Sequence, residues 1–111
     1  MGRYQREKGK RGEREVVALF KEQGFQAERT SQYCGRSSDS SDVRVKGLHD
    51  FNIESKLGYS SRLDSWYEKA LEEAPDKTPL IFHRRDAGTW LCTVSADWLI
   101  GVLAHAKKEA L

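Results

Sequence analysis

Cysteine is scarce. Cys34 and Cys92 are the only two in the 111 residues, too far apart for a Cys-x-x-Cys pair and too few for a disulfide framework. A reducing, cytoplasmic setting is the expectation that follows. The three histidines, His49, His83 and His105, have no zinc-site spacing. No run is long and apolar enough to span a bilayer, and the basic start MGRYQREKGKRGER has no apolar stretch behind it, so neither a membrane span nor a secretory signal is expected. Arg6 stands where a myristoylation signal needs Ser or Thr. Internal repeats and linker-like stretches are also missing, which points to one domain over residues 1–111.

What is present suits a small globular core. Four Phe, four Tyr and three Trp argue against disorder, although charged residues make up 32% of the chain. A domain of this size buries roughly two thirds of its unfolded surface, so one core is feasible but small. The net charge of +2 is unevenly placed. Residues 1–14 hold Arg3, Arg6, Lys8, Lys10, Arg11 and Arg14 against two acids, a local +4 that leaves −2 for the rest. A basic N-terminal arm over residues 1–9, made for a polyanion, is one reading; a solvated, frayed terminus is the other.

Periodicity gives the element order. Val16, Val17, Leu19 and Phe20 recur at helical spacing between about Lys10 and Gln23, and Gly24 supplies a stop. FQAERT (25–30) reads as a strand. The segment SQYCGRSSDSS (31–41) is polar, with five serines, and loops of that length in compact domains are usually functional or mobile. DVRVKG (42–47) and FNIESKL (51–57) alternate as strands around a turn at His49 and Asp50. Ser60 or Ser61 is placed to cap a second helix whose face carries Leu63, Trp66, Tyr67, Ala70, Leu71 and Ala74. Pro75 ends it and Pro79 opens the strand PLIFHR. Asp86-Ala87-Gly88 then turns the chain into TWLCTV (89–94), expected as an antiparallel neighbour. Ser95 caps a last helix with Trp98, Leu99, Ile100, Val102 and Leu103, a broad apolar surface for either the core or an interface. The order αβββαββα is that of an α/β domain.

On a strand, alternate residues share a face, so Glu54 and Lys56 point together while Ile53, Ser55 and Leu57 point the other way. Asp42 opens the preceding strand, where its carboxylate can face the same cleft. Glu13 sits three, four and seven residues before Val16, Val17 and Phe20, at the start of an apolar stripe, and an acid there needs a partner. A metal ion or Lys56 would provide one. Such a set suits phosphodiester hydrolysis. Magnesium keeps waters beside one or two carboxylates, polarises a phosphoryl oxygen and lowers the pKa of bound water. A neighbouring lysine orients that water or offsets charge growing on phosphorus. Each feature alone is common on ordinary strands; the joint arrangement carries the signal. Trp66, Trp90 and Trp98 read as core or interface. Tyr33 and Arg36 in the polar loop, and Tyr59 after the motif, either touch nucleic acid or are simply solvated.

The stretch 8–56 resembles the core of the archaeal-type Holliday junction resolvases, small dimeric members of the PD-(D/E)xK nuclease superfamily. The similar elements are Lys8-Gly9, Glu13-Arg14, Gly24-Phe25, Arg29, the Ser/Gly-rich loop, Asp42-Val43 and Ile53-Glu54-Ser55-Lys56. The resemblance covers about the first half of the chain. It implies a restriction-endonuclease-like core, a mixed five-stranded sheet flanked by helices. It also implies a homodimer acting on branched DNA with Mg2+, or Mn2+ in its place; a nicking or restriction-type nuclease on duplex DNA, or a nucleic-acid-binding module without activity, are the alternatives. Glu13, Asp42 and Glu54, with the Ser55 carbonyl, would gather the metal, and Lys56 would complete the site. Ser41 stands where the superfamily's motif has proline, and the serines of the loop, Ser31 and Ser37, do not align with any role.

Overall fold

The computed structural model describes residues 2–30, 41–58 and 62–110. The polar loop, with Ser31, Tyr33, Cys34, Arg36 and Ser37, lies outside them, as do Tyr59 and the cap candidates Ser60 and Ser61. The elements run α1 (Arg3–Glu22), β1 (Ala27–Arg29), β2 (Val43–Val45), β3 (Phe51–Leu57), α2 (Leu63–Glu73), β4 (Thr78–Arg84), β5 (Leu91–Thr93) and α3 (Ala96–Ala110). This is the expected order, and the described residues form a mixed α/β structure with five strands and three helices.

The first departure is at the N-terminus. Residues 3–9, expected as an arm, form the opening turns of α1. Gln5, Arg6, Glu7, Lys8, Lys10 and Arg11 all favour helix, and the single Gly9 is too little to break it. Glu7 and Lys10 add an ion pair of 3.7 Å one turn apart. The basic side chains of Arg3, Arg6, Lys10 and Arg11 therefore project from a solvated helix end.

The strands follow sequence order across the sheet, β1-β2-β3-β4-β5. All neighbours are antiparallel except β3 and β4, whose seven paired residues run parallel. A parallel pair needs a long crossover, which α2 supplies. Pro79 survives inside β4 because β5 pairs only from Ile81 to His83, so the N–H it lacks has no partner strand on that side. In the turn after β4 the left-handed position falls on Ala87, with φ 58°, rather than on Gly88.

Register assigns the two faces. Ala27, Val43, Val45, Ile53 and Leu80 pack against Val16 and Val17 of α1 to form the main core. Ile53 is almost fully buried, and burying such a side chain stabilises by about 1.5–3 kcal/mol. Gly12 allows α1 to lie close to β3, since a Cβ there would come within 3.0 Å of Ser55 Oγ and 3.2 Å of Leu57 Cβ. The same helix is clamped to β4. Glu15 accepts from Arg84 Nε and Nη2 at 3.0 Å each and from Trp90 Nε1 at 2.9 Å.

The opposite face carries Asn52, Glu54, Lys56, Ile81 and His83 and is covered by α2, which buries Ala70, with Ala74 buried just past its end. Ser95 caps α3 as expected, accepting the Trp98 N–H at 3.3 Å. Trp98 packs edge-on against Phe51 at 5.6 Å, but beyond it residues 99–109 are exposed. The last helix thus covers the sheet only at its base. Among the described residues no helix is long and apolar enough to cross a membrane.

Candidate active site

Asp42 and Glu54 meet because of strand register. Val43 pairs with Ile53, and Asp42 N–H donates to the Ile53 carbonyl at 2.9 Å, which sets Asp42 across from Glu54 on the antiparallel pair. Asp42 Oδ2 then accepts the Ser55 backbone N–H at 2.9 Å. Glu54 is only 7% exposed, and its Oε2 is buried without a hydrogen-bond partner. Leaving such an oxygen unsatisfied costs roughly 1–3 kcal/mol.

The electrostatics follow from this crowding. Burial pushes the Glu54 carboxyl up to about 8, with the Asp42 charge adding to the rise and Lys56 opposing it. Burial also pushes Asp42 up to about 6, against the lowering effect of the Ser55 N–H; the Glu13 charge adds a smaller upward push. Burial thus favours the protonated form of Glu54. Two neighbouring carboxyl groups, one of them with an unpartnered oxygen, are a donor set for a hard cation, which would occupy that oxygen and offset the charge repulsion.

Lys56 lies two residues along β3 on the same face, its Nζ 6.0 Å from the centre of the Trp66 ring. Trp66 belongs to α2 and also meets the His83 ring at 5.9 Å. Glu73, in the last turn of the same helix, repels both Asp42 and Glu54. Sequence periodicity puts Glu73 on the polar face of α2, and only the crossover over β3 brings it to the site.

Glu13 takes a different place. It sits on α1, against the other face of the sheet, and its Oε1 accepts from Arg29 Nε at 3.0 Å. Its protein partner is therefore not Lys56 but Arg29, which reaches it from β1. Among the described residues no three His, Cys, Asp or Glu side chains close around one point. Ser55 aims its side chain at α1, where Oγ is buried without a hydrogen-bond partner, and gives its N–H to Asp42.

Ser41 explains itself. Its Oγ donates to Asn52 Oδ1 at 3.0 Å, and Asn52 Nδ2 donates to the Ala70 carbonyl of α2 at 3.0 Å. A proline at position 41 would have no hydroxyl for this buried chain, which ties the residue before Asp42 to the helix over the site. Of the basic residues, Lys8 is half-buried, its ammonium beside Gly58 at the end of β3; Arg14 lies along α1 with Lys21 and Arg29 near β1.

The chain matches no protein-family model, no curated protein and no solved structure.

Proposed function

We propose that the protein is a metal-dependent DNA endonuclease of the PD-(D/E)xK type, with Asp42, Glu54 and Lys56 at its centre. One observation carries the reading: half-buried Asp42, at the entry to β2, is set by register across from buried Glu54 on β3, one Glu54 oxygen is orphaned, and a lysine follows on the same face. A structural salt link would leave no carboxylate oxygen unpaired; here Glu54 Oε2 is buried without a partner.

Asp42 and Glu54 would hold Mg2+, or Mn2+, with water completing the shell. The bound ion supplies Lewis acidity toward a phosphoryl oxygen and an acidified water. The protein's share is to fix the two carboxylates on paired strands and to exclude solvent around Glu54. Lys56, held against Trp66, places a positive charge beside them, where charge builds on phosphorus. Glu13, joined to Arg29, sets the field at Asp42 and the position of α1; in a loaded site it would serve as a further ligand only by leaving Arg29.

Branched DNA is the favoured substrate and a homodimer the favoured form. The solvated basic side chains of Arg3, Arg6, Lys10 and Arg11, with Arg14, suit phosphate contacts. The apolar side chains of α3 are exposed, with Ile100 at 63% and Leu103 at 58%, and a two-fold pairing through this helix would bury them. Paired sites match the two equivalent strands of a four-way junction. The test is metal-dependent cleavage of four-way, duplex and single-stranded DNA. Paired nicks in the junction are expected; no cutting of any of the three would end the proposal.

A further inference from the structure

Beside the proposed site lies a cavity of about 290 Å3 that the two carboxylates do not use. It opens at the carboxyl ends of the parallel strands β3 and β4, the place where open α/β sheets commonly take ligands. Its walls include Gly58, Leu63, Trp66, His83, Thr89 and Leu91, and they are mainly apolar. Two of them are aromatic rings. Trp66 meets His83 at 5.9 Å with the ring planes 56° apart, and His83 is fixed in turn by Thr93 Oγ1 at 2.9 Å from Nε2. Burial lowers the His83 pKa, which disfavours charge on this wall.

The rim is cationic. The Lys8 ammonium lies near Gly58, close enough that a Cβ on that glycine would meet Nζ at 3.4 Å, and Arg85 is among the residues around the cavity. Arg84 is turned away into its clamp with Glu15. The combination of an aromatic wall and basic rim is the one that single-stranded nucleic acid uses, bases stacking on rings while cations follow the backbone. The volume is at the small end of ligand cavities, which start at roughly 300 Å3. It suits one flat heteroaromatic ring and not a base pair. Lys56 fixes the distance to the chemistry, since its ammonium stands 6.0 Å from the Trp66 ring that forms the cavity wall.

We infer that this cavity takes one unpaired nucleobase from the strand being cut, stacked on Trp66. The inference rests on the nuclease reading and sharpens its substrate class. The enzyme would select DNA in which a nucleotide has already left the stack, as at a branch point or bulge. Such a nucleotide is cheap to extrude, and a fully paired one is not.

The test is binding in the absence of divalent metal. A duplex with a single unpaired adenosine is compared with the same duplex carrying an abasic residue at that position. The wild-type protein should bind the adenosine form roughly 5- to 150-fold more tightly, the range that base–aromatic stacking spans. Trp66→Ala should erase the difference and Trp66→Phe retain part of it. Equal wild-type affinity for the two forms overturns the base pocket, and that comparison needs no variant to fold. Cleavage of the same duplexes in Mg2+ is scored separately. Cutting without base preference removes the pocket and leaves the nuclease standing; base preference without cutting does the reverse.

Discussion

Asp42 is tied through its side chain to the backbone of Ser55, its Oδ2 accepting that N–H at 2.9 Å. The carboxylate at the head of β2 is thereby locked to the residue between Glu54 and Lys56. Three groups that sequence places 12 and 2 positions apart become one rigid unit, and the separation of the two acids is set by a strand pair rather than by flexible side chains. The neighbouring chain Ser41–Asn52–Ala70 holds the same corner to α2.

The raised carboxyls give the metal-free protein a specific pH response. Folded Asp42 and Glu54 bind protons more tightly than the unfolded chain, with shifts from 3.8 to about 6 and from 4.5 to about 8. Their contribution is whole at acid pH and is lost as pH rises through those folded values, because the folded state binds more protons than the unfolded one. Thermal stability without metal should therefore fall from about pH 5 to 8, and Glu54→Gln, which cannot ionise, should flatten the decline. Mg2+ should restore more stability at pH 8 than at pH 6, with protons released on binding. Melting curves across that range check it; a Glu54→Gln protein with the wild-type slope would contradict it.

Much of this is legible in the sequence. The element order follows from hydrophobic period and from Pro75, Pro79 and Ser95, because punctuation and alternation are local properties. The placement of Glu54 and Lys56 on one face follows from strand alternation for the same reason. What the sequence hides is non-local. Arg29 as the partner of Glu13 depends on β1 lying beside α1, and Glu73 reaches the site only through the crossover. The burial of Glu54 is hidden too, since a Glu-x-Lys triplet reads as solvated until α2 is known to cover it. At the N-terminus the basic composition suggests an arm, whereas the helix propensity of the same residues decides the outcome.

The Glu15 clamp joins α1 to β4 and to Trp90, so its loss should loosen the whole α1 face. Glu15→Ala strands the Arg84 guanidinium and the Trp90 N–H. Because the Glu15 side chain is 35% exposed, water replaces part of what is removed, and the cost should be about 1–3 kcal/mol. For a domain of this size each kcal/mol corresponds to about 4–8 °C in Tm. An unchanged Tm would mean the clamp is ornamental.

The basic turns of α1 make a separate prediction about affinity. Replacing Arg3, Arg6, Lys10 and Arg11 by Gln keeps the helix and removes four charges. For every phosphate that one of these cations neutralises, its replacement should flatten the salt slope of log affinity for DNA by roughly 0.9. The cleavage rate of bound substrate should stay the same. An unaltered salt slope would show that these side chains are only solvated.

The exposed face of α3 predicts a dimer. Ile100→Glu with Leu103→Lys should give a folded monomer by sedimentation, whereas the wild type should sediment as two copies. The monomer should nick a four-way junction without making paired cuts. A wild-type monomer would remove the resolvase geometry while leaving the carboxylate site intact.

The most direct test of the nuclease account is single-turnover cleavage of a labelled four-way junction with and without Mg2+. Wild-type protein should cut only with the metal. Asp42→Asn, Glu54→Gln and Lys56→Ala should each abolish cutting while still binding the junction, and Glu13→Gln should reduce it. Glu54→Gln cutting at the wild-type rate in Mg2+ would contradict the assignment of this buried carboxylate, and with it the site.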